Sequence, residues 1–194
     1  MSAPAATVPA TAVTAVTAVT AAASAAASSR ATGPVLATAA TAMGLMSGLF
    51  FAFDVSVMPG LAAGDDRTYV TAMQHINTAI TNPVFGAVFV GALAVPAVGT
   101  WLLHRSGQRA ATLWTAVATL LYLAALVLTG AVNVPLNDRL AAAGDPAAIT
   151  DFAAVRAAFA PTWTTANIAR TVLCTAALAA LTRALLVHRR PAAR

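Results

Sequence analysis

Four long stretches of the chain are hydrophobic and almost free of charge, and polar segments separate them. They cover residues 34–57, 83–103, 110–132 and 164–187. An α-helix rises about 1.5 Å per residue, so roughly 20 residues cross a hydrocarbon core of about 30 Å. A soluble amphipathic helix of this length would show a polar face at helical spacing, and these stretches lack one. The pattern therefore predicts four membrane-spanning helices.

The composition supports the same interpretation. Hydrophobic residues make up 59% of the chain and charged residues 9%, whereas soluble domains carry about 25% charged residues. We therefore predict an all-α fold, a transmembrane four-helix bundle formed by residues 34–188. Residues 1–33 are rich in Ala and Thr and are predicted to form a disordered low-complexity tail. Residues 189–194 are predicted to form a basic cytoplasmic tail.

The arginines are unevenly distributed between the two ends of the predicted bundle. The formal net charge of +5 comes from Arg alone, because the chain has no Lys. The short second loop and the C-terminus are basic, whereas the two longer loops hold five of the six acidic residues. The positive-inside rule therefore places both termini and the second loop in the cytoplasm of a cell-membrane protein. Topology explains the basic balance without nucleic-acid binding, and membrane lipids are the expected partners.

The first extracytoplasmic loop contains an amphipathic pattern. Asp65 and Asp66 can cap a helix that runs to about Ile80. Its apolar residues recur at spacings of four, three and four, which is typical of one helical face. We predict a short amphipathic helix, and this loop either lies flat on the membrane interface or forms the roof of a polar pocket. The residues of this face are Tyr69, Met73, Ile76 and Ile80.

Two further helix boundaries can be predicted from the loops. Asn82 and Pro83 have the residue types of an N-cap and a first helical position, so the second span is predicted to begin there. In the second long loop, a short helix is predicted from Asp151 to about Ala160. Pro161 is predicted to end that helix.

Polar side chains of the spans gather near their extracytoplasmic ends. An ionisable residue inside a span costs several kcal/mol unless it is paired, so we predict that Asp54 pairs with Arg170. This pair is either a structural clasp between the first and fourth spans or part of a polar pocket that opens outward. The neighbouring asparagines have the same two interpretations, interhelical hydrogen bonds or a pocket lining. They are Asn133, Asn137 and Asn167, with Trp163 on the same face of the fourth span.

Motifs for metals, nucleotides and disulfides are absent from the sequence. There is no CxxC, HExxH, Walker loop or GxGxxG. His75 is predicted outside the cell, whereas His104 and His188 are predicted inside. Cys174 is the single cysteine and lies within a span. The sequence therefore predicts no metal site built from these histidines, and it indicates no cofactor.

Several segments form a recognisable set. They are residues 44–53, 57–61, 72–77 and 133–137, together with Trp163, Asn167 and Arg170. Together they resemble the anthrone oxygenase-like family of small four-span membrane proteins, over about residues 35–188. The resemblance implies a four-helix membrane bundle. For some members it also implies oxidation of an anthrone to an anthraquinone by molecular oxygen, without an organic cofactor.

The resemblance also implies functional residues. Oxidation of this kind needs a base to form an electron-rich enolate, in a pocket that excludes water. Active relatives often have a His directly after the Asn of the fourth span, where this chain has Ile168. His75 is then the available base, and Asp54 and Arg170 are the other catalytic candidates. The implied substrate-binding residues are Asn77, Asn133, Asn137, Trp163 and Asn167.

Two functions from different classes remain open at this stage. The first is a membrane-embedded oxygenase that acts on a small hydrophobic, aromatic molecule. The alternative is a non-catalytic membrane protein that binds a lipophilic ligand or a membrane partner. A transporter is disfavoured because the polar residues leave no polar path through the cytoplasmic half of the spans.

Overall fold

The computed structural model describes the backbone of residues 10–188 and the side chains of residues 31–188. Every regular element in this part of the chain is helical, which confirms the predicted all-α fold. Two five-residue segments are π-helical and interrupt longer α-helices. In chain order the elements are α1 Ala10–Ala52, a first π segment Phe53–Val57, α2 Met58–Ala62, α3 Asp66–Ile80, α4 Pro83–Arg105, α5 Arg109–Leu128, a second π segment Thr129–Asn133, α6 Val134–Ala142 and α7 Phe152–Val187.

The predicted tails are only partly covered by these residues. Residues 1–9 and 189–194 lie outside the described part of the chain. From Ala10 the backbone is helical and runs without a break into the first span. The disordered character of residues 1–33 stays a prediction.

Four helical segments are long and apolar enough to cross a membrane, as predicted. They are Ala31–Ala62, Pro83–Arg105, Arg109–Ala142 and Phe152–Val187. Three of them are longer than the hydropathy pattern indicated, because α2, α6 and the first turns of α7 continue the spans beyond the apolar stretches. The chain is an integral membrane protein of four helices.

The predicted break at Pro161 is wrong. Pro161 lies inside the single helix α7. Proline removes one hydrogen bond and crowds the carbonyl four residues earlier, here that of Ala157. Both Ala157 and Pro161 are exposed, and they lie above the predicted apolar stretch. Water can therefore satisfy the freed carbonyl, and the helix continues.

The four spans form a ring in which each packs on two neighbours. α1 contacts α4 and α7, and α5 contacts the same two helices. Small residues allow close approach, since a Cβ on Gly99 of α4 would lie 3.3 Å from Val35 of α1. The hydroxyl of Tyr122 on α5 donates to the carbonyl of Phe89 on α4 at 2.9 Å. The core is filled by methionine, leucine and alanine side chains, with Cys174 fully buried.

Large apolar side chains cover the outside of the bundle. Val84, Leu120 and Leu186 expose 75%, 65% and 74% of their surface. A soluble protein rarely leaves contiguous apolar patches of this extent open to water. Lipid is the solvent that suits this surface.

One end of the bundle carries a helical cap, formed by α2, α3, α6 and residues 152–163 of α7. Asp65 caps α3 as predicted, because its side chain accepts from the Thr68 N–H at 2.8 Å. This hydrogen bond lowers the pKa of the Asp65 carboxyl below its ordinary value. Asn82 likewise caps α4 by accepting from the Phe85 N–H at 3.0 Å, with Pro83 in the first turn.

The amphipathic helix α3 packs against protein and does not lie flat on the membrane interface. Tyr69, Val70 and Met73 are fully buried in a second apolar cluster with residues of α2, α6 and α7. Gln74 fastens α3 to the end of α6 by donating to the carbonyls of Leu140 at 2.9 Å and Gly144 at 3.1 Å. The apolar stripe therefore has protein partners, and α3 forms a roof over the bundle.

Arg156 of α7 fastens the start of this roof. Its guanidinium forms a salt bridge with Asp66 at 2.8 Å and donates to the Ala62 carbonyl at 3.1 Å. The same group lies 4.6 Å from the centre of the Tyr69 ring. Burial raises the pKa of the Tyr69 hydroxyl, against the smaller opposite effect of the Arg156 charge.

Candidate functional site

A cavity of about 420 Å³ lies between the roof helix and the four spans. This volume is within the range of small-molecule sites. Its exposed lining residues mark its mouth, and they are Thr78 of α3, Thr81 directly after α3, and Val134, Asp138 and Ala141 of α6. Its buried end reaches Arg170 of α7. The remaining lining residues are Leu49, Phe50, Phe53, Gln74, Ile76, Asn77, Ile80, Phe85, Phe89, Thr129, Asn133, Asn137, Trp163 and Asn167.

Aromatic rings from three helices form the walls. Phe53 of the first π segment lies 5.6 Å from Trp163 of α7, measured between ring centroids. On the other side, Phe85 and Phe89 of α4 stack at 5.2 Å. Offset and tilted rings at such distances attract one another and present flat apolar surface. These walls suit a planar aromatic guest.

The two π segments lie where the spans meet the cap. Each is followed by one residue and then by a proline. The N–H of Met58 bonds to the carbonyl of Phe53 five residues earlier, and the N–H of Val134 bonds likewise to Thr129. Pro59 and the proline after Val134 come next. A wider turn relieves the clash between a proline ring and the preceding carbonyls, and π-bulges are frequent at functional sites.

A hydrogen-bonded network joins the first and fourth spans at the buried end of the cavity. The Asn167 side-chain amide donates to the Phe50 carbonyl at 2.9 Å and also to Asp54. Its oxygen accepts from Nη2 of Arg170 at 2.7 Å. Thr171 donates to the second oxygen of Asp54. Asn167 therefore uses both ends of its amide to join an anion to a cation.

The predicted direct pairing of Asp54 with Arg170 is wrong. Among the described residues the salt bridge is that of Arg156 and Asp66, and Asn167 stands between Asp54 and Arg170. An amide can accept from a cation and donate to an anion at once, so it can link two charges at matching depth.

A second set of contacts joins the second π segment and α6 to α7. Nε1 of Trp163 donates to Oδ1 of Asn137 at 2.8 Å. Nδ2 of Asn133 donates to the Trp163 carbonyl at 3.4 Å. Asn133 and Trp163 are both buried, at 1% and 4% exposure. The bond to Asn137 orients the Trp163 ring in the cavity wall, and the bond from Asn133 holds the α7 backbone at this position.

Three polar atoms of the lining are buried and have no partner among the described residues. They are Nδ2 of Asn77, Oδ1 of Asn133 and Nε of Arg170. A buried polar group without a hydrogen bond costs about 1–3 kcal/mol. Their three residues line the cavity, although these atoms themselves have almost no surface open to it.

The structure brings most of the predicted site residues together and leaves two apart. Six of them line the cavity: Asn77, Asn133, Asn137, Trp163, Asn167 and Arg170. His75 is exposed and points away from the cavity, and Asp54 lies behind Asn167. Their predicted catalytic roles therefore have no support from their positions in this structure.

Sequence reasoning missed several lining residues, of which Asp138 matters most for chemistry. Asp138 follows Val134 by four positions, and Ala141 follows Asn137 by four, so the two pairs form adjacent stripes on α6. Because the segment after Asn133 was interpreted as a loop, this helical spacing was not used.

Comparison with known proteins agrees with this arrangement. A family model described as anthrone oxygenase matches residues 73–180, which is more than half of the chain. The matched range begins in the roof helix and includes the second π segment, Trp163, Asn167 and Arg170. No curated protein and no solved structure matches the chain.

Proposed function

Because the chain belongs to the anthrone oxygenase family, we propose that its cavity binds a small hydrophobic aromatic molecule and that the protein oxidises this molecule with molecular oxygen. The observation that carries the proposal is the combination of aromatic walls with polar lining residues, among them Asn77, Asn133 and Arg170. Convergent polar groups in an apolar cavity are the usual mark of a small-molecule site.

The oxidation converts a ring methylene into a carbonyl. One oxygen atom of O₂ enters the product, and the other leaves as water with the two hydrogens of the methylene. The first step is loss of a proton from the methylene to give an enolate, which reacts with O₂ far more readily than the neutral ketone. The protein must therefore supply a proton acceptor, stabilise negative charge and exclude water.

The lining residues match these requirements in the following way. Asp138 is the carboxylate of the cavity lining and serves as the proton acceptor at the mouth. Arg170 stabilises the enolate oxygen, since it lines the buried end of the cavity and has no ion-pair partner among the described residues. Phe53, Phe85 and Trp163 hold the ring system and keep water out.

The non-catalytic alternative has its own supporting observation. Amide side chains dominate the polar lining, and an amide binds a guest without transferring a proton at neutral pH. These residues are Gln74, Asn77, Asn133, Asn137 and Asn167. Binding of an aromatic molecule with no turnover in air is the outcome that would establish this alternative.

We also propose that the cavity faces the extracytoplasmic side. The end opposite the cap carries Arg105, Arg109 and Arg183, whereas the loops of the cap end hold most of the acidic residues. The positive-inside rule then places both termini in the cytoplasm and the mouth of the cavity at the outer surface.

The decisive experiment measures anthrone oxidation by the protein purified in detergent, by anthraquinone absorbance and oxygen uptake. Asn77→Ala should weaken substrate binding several-fold without loss of stability, because its Nδ2 has no partner in the protein to lose. Asp138→Asn should lower kcat. His75→Ala is the matched control on the same roof helix and should behave as wild type.

Two results would contradict the proposal. Wild-type rates in both cavity variants would show that the cavity is not the site. Loss of activity in His75→Ala with the fold intact would show that His75 is the base, as the sequence first indicated.

A further inference from the structure

Arg170 is a buried cation without a direct counter-ion. Its side chain is 5% exposed, and it lies in the membrane-spanning part of α7. Among the described residues, its polar contact is the neutral side-chain oxygen of Asn167 at 2.7 Å. Its guanidinium also lies 4.4 Å from the Phe50 ring centre and 5.3 Å from that of Trp163. Such contacts stabilise a cation less than an anion at hydrogen-bond distance does.

The nearest carboxylate is used elsewhere. One oxygen of Asp54 accepts from Asn167, and the other accepts from Thr171. Asp54 does not line the cavity, whereas Arg170 does. Asp138 is the acidic residue of the lining, and it is exposed at the mouth on α6. The buried end of the cavity therefore presents an excess of positive charge.

The geometry of the guanidinium defines what can bind there. Its N–H groups lie in one plane and form forks that match two oxygen atoms. Nη2 is used by Asn167, and Nε is wholly buried, so Nη1 is the nitrogen that a ligand in the cavity can reach. Rings of Phe50 and Trp163 beside the guanidinium can contact a flat aromatic guest that places its oxygens at this group.

We propose that the cavity binds its aromatic ligand as an oxyanion, a carboxylate, phenolate or enolate, with Arg170 as the counter-ion at the buried end. This rests on the proposed function only in taking the cavity as the site of an aromatic molecule. It does not depend on turnover. The neutral form of the same ligand binds more weakly, because it leaves the charge of Arg170 without a partner.

The test compares two probes of equal shape and different charge. Calorimetric titration of the full chain in detergent at pH 7 with 2-naphthoate and with neutral 2-naphthamide should show about tenfold tighter binding of the carboxylate. Arg170→Gln should bind both probes about equally. Arg183→Gln is the matched control, since Arg183 lies on the same helix, is exposed and does not line the cavity.

A second probe reports the charge of a phenolic ligand directly. The visible absorption of 1,8-dihydroxyanthraquinone shifts to longer wavelength when a phenol ionises. Wild-type protein should shift this band at a pH at which the free dye is neutral, and Arg170→Lys should retain part of the shift. The naphthoate titration tests for a carboxylate ligand, and the dye spectrum tests for a phenolate or enolate ligand.

The outcomes separate this inference from the proposed function. Equal binding of naphthoate and naphthamide by wild-type protein, with no spectral shift of the dye, would overturn the oxyanion while leaving an aromatic site in place. Failure of all three probes to bind would overturn both. The wild-type comparison needs no variant, so a folding defect in Arg170→Gln would not prevent the decision.

Discussion

Replacement of Asn167 by Ala should destabilise the protein strongly. Asn167 is fully buried and makes three hydrogen bonds, to Phe50, Asp54 and Arg170. Two of these have charged partners, for which loss of a hydrogen bond costs about 1.5–3 kcal/mol each. Interhelical hydrogen bonds in membranes average only about 0.6 kcal/mol. The two interhelical bonds at the lower figure and the two bonds to charged partners at the upper figure bound the expected loss of unfolding free energy at about 1–6 kcal/mol.

The assay is unfolding by SDS in mixed micelles, followed by circular dichroism. Ile168→Ala is the matched control, because the neighbouring residue is 50% exposed on the lipid-facing surface and makes none of these bonds. Thr171→Val should fall between the two, since it removes a single bond to Asp54. If Asn167→Ala is no less stable than Ile168→Ala, the network does not hold the first and fourth spans together.

Three further predictions concern the cap and the topology. Arg156→Ala should speed hydrogen exchange in α3 and lower the stability of the cap by about 1 kcal/mol, because it frees Asp66 and the end of α2. Unchanged exchange would show that the Arg156 contacts do not stabilise α3. The pKa of Asp65 is lowered in the folded protein, so its contribution to cap stability is present at pH values above its pKa in the unfolded chain and is lost as the pH falls through its pKa in the folded protein. Asp65→Asn should therefore remove this acid dependence of hydrogen exchange in the first turn of α3. Cysteines at Ala142 and Ser106 should react with an impermeant reagent outside and inside the cell, respectively, and the reverse pattern would invert the proposed orientation.

Hydropathy was sufficient to predict the four spans, because lipid requires long apolar helices whatever their packing. The ends of the spans were predicted less well. Pro161 was interpreted as a helix end, yet the helix passes through it at an exposed position. The residues after Asn133 were interpreted as a loop, yet they continue as α6. Proline marks a local loss of one hydrogen bond, and the surroundings decide whether the helix stops.

The depth of the polar residues was predictable, but their pairing was not. Asp54 and Arg170 lie at matching depth in adjacent helices, as span positions indicated. Their connection runs through Asn167 because amide orientation and side-chain rotamers decide which of several polar groups meet. Span positions carry no information on these choices. His75 was named as a base because Ile168 stands where active relatives often have a His, yet His75 is exposed and does not line the cavity.

Because Asn167 lies between Asp54 and Arg170, the buried end of the cavity carries a positive charge without a direct counter-ion. A direct pair of Asp54 and Arg170 would neutralise the cation and leave a polar but uncharged floor. The amide instead holds both groups in place, because its two ends are complementary to an anion and a cation. Arg170 is thereby oriented by the protein while its Nε stays unpaired. An arrangement that only joined two helices would pair Arg170 with Asp54 directly, so the absence of that ion pair at a cavity-lining cation favours a ligand at Arg170 over a purely structural clasp.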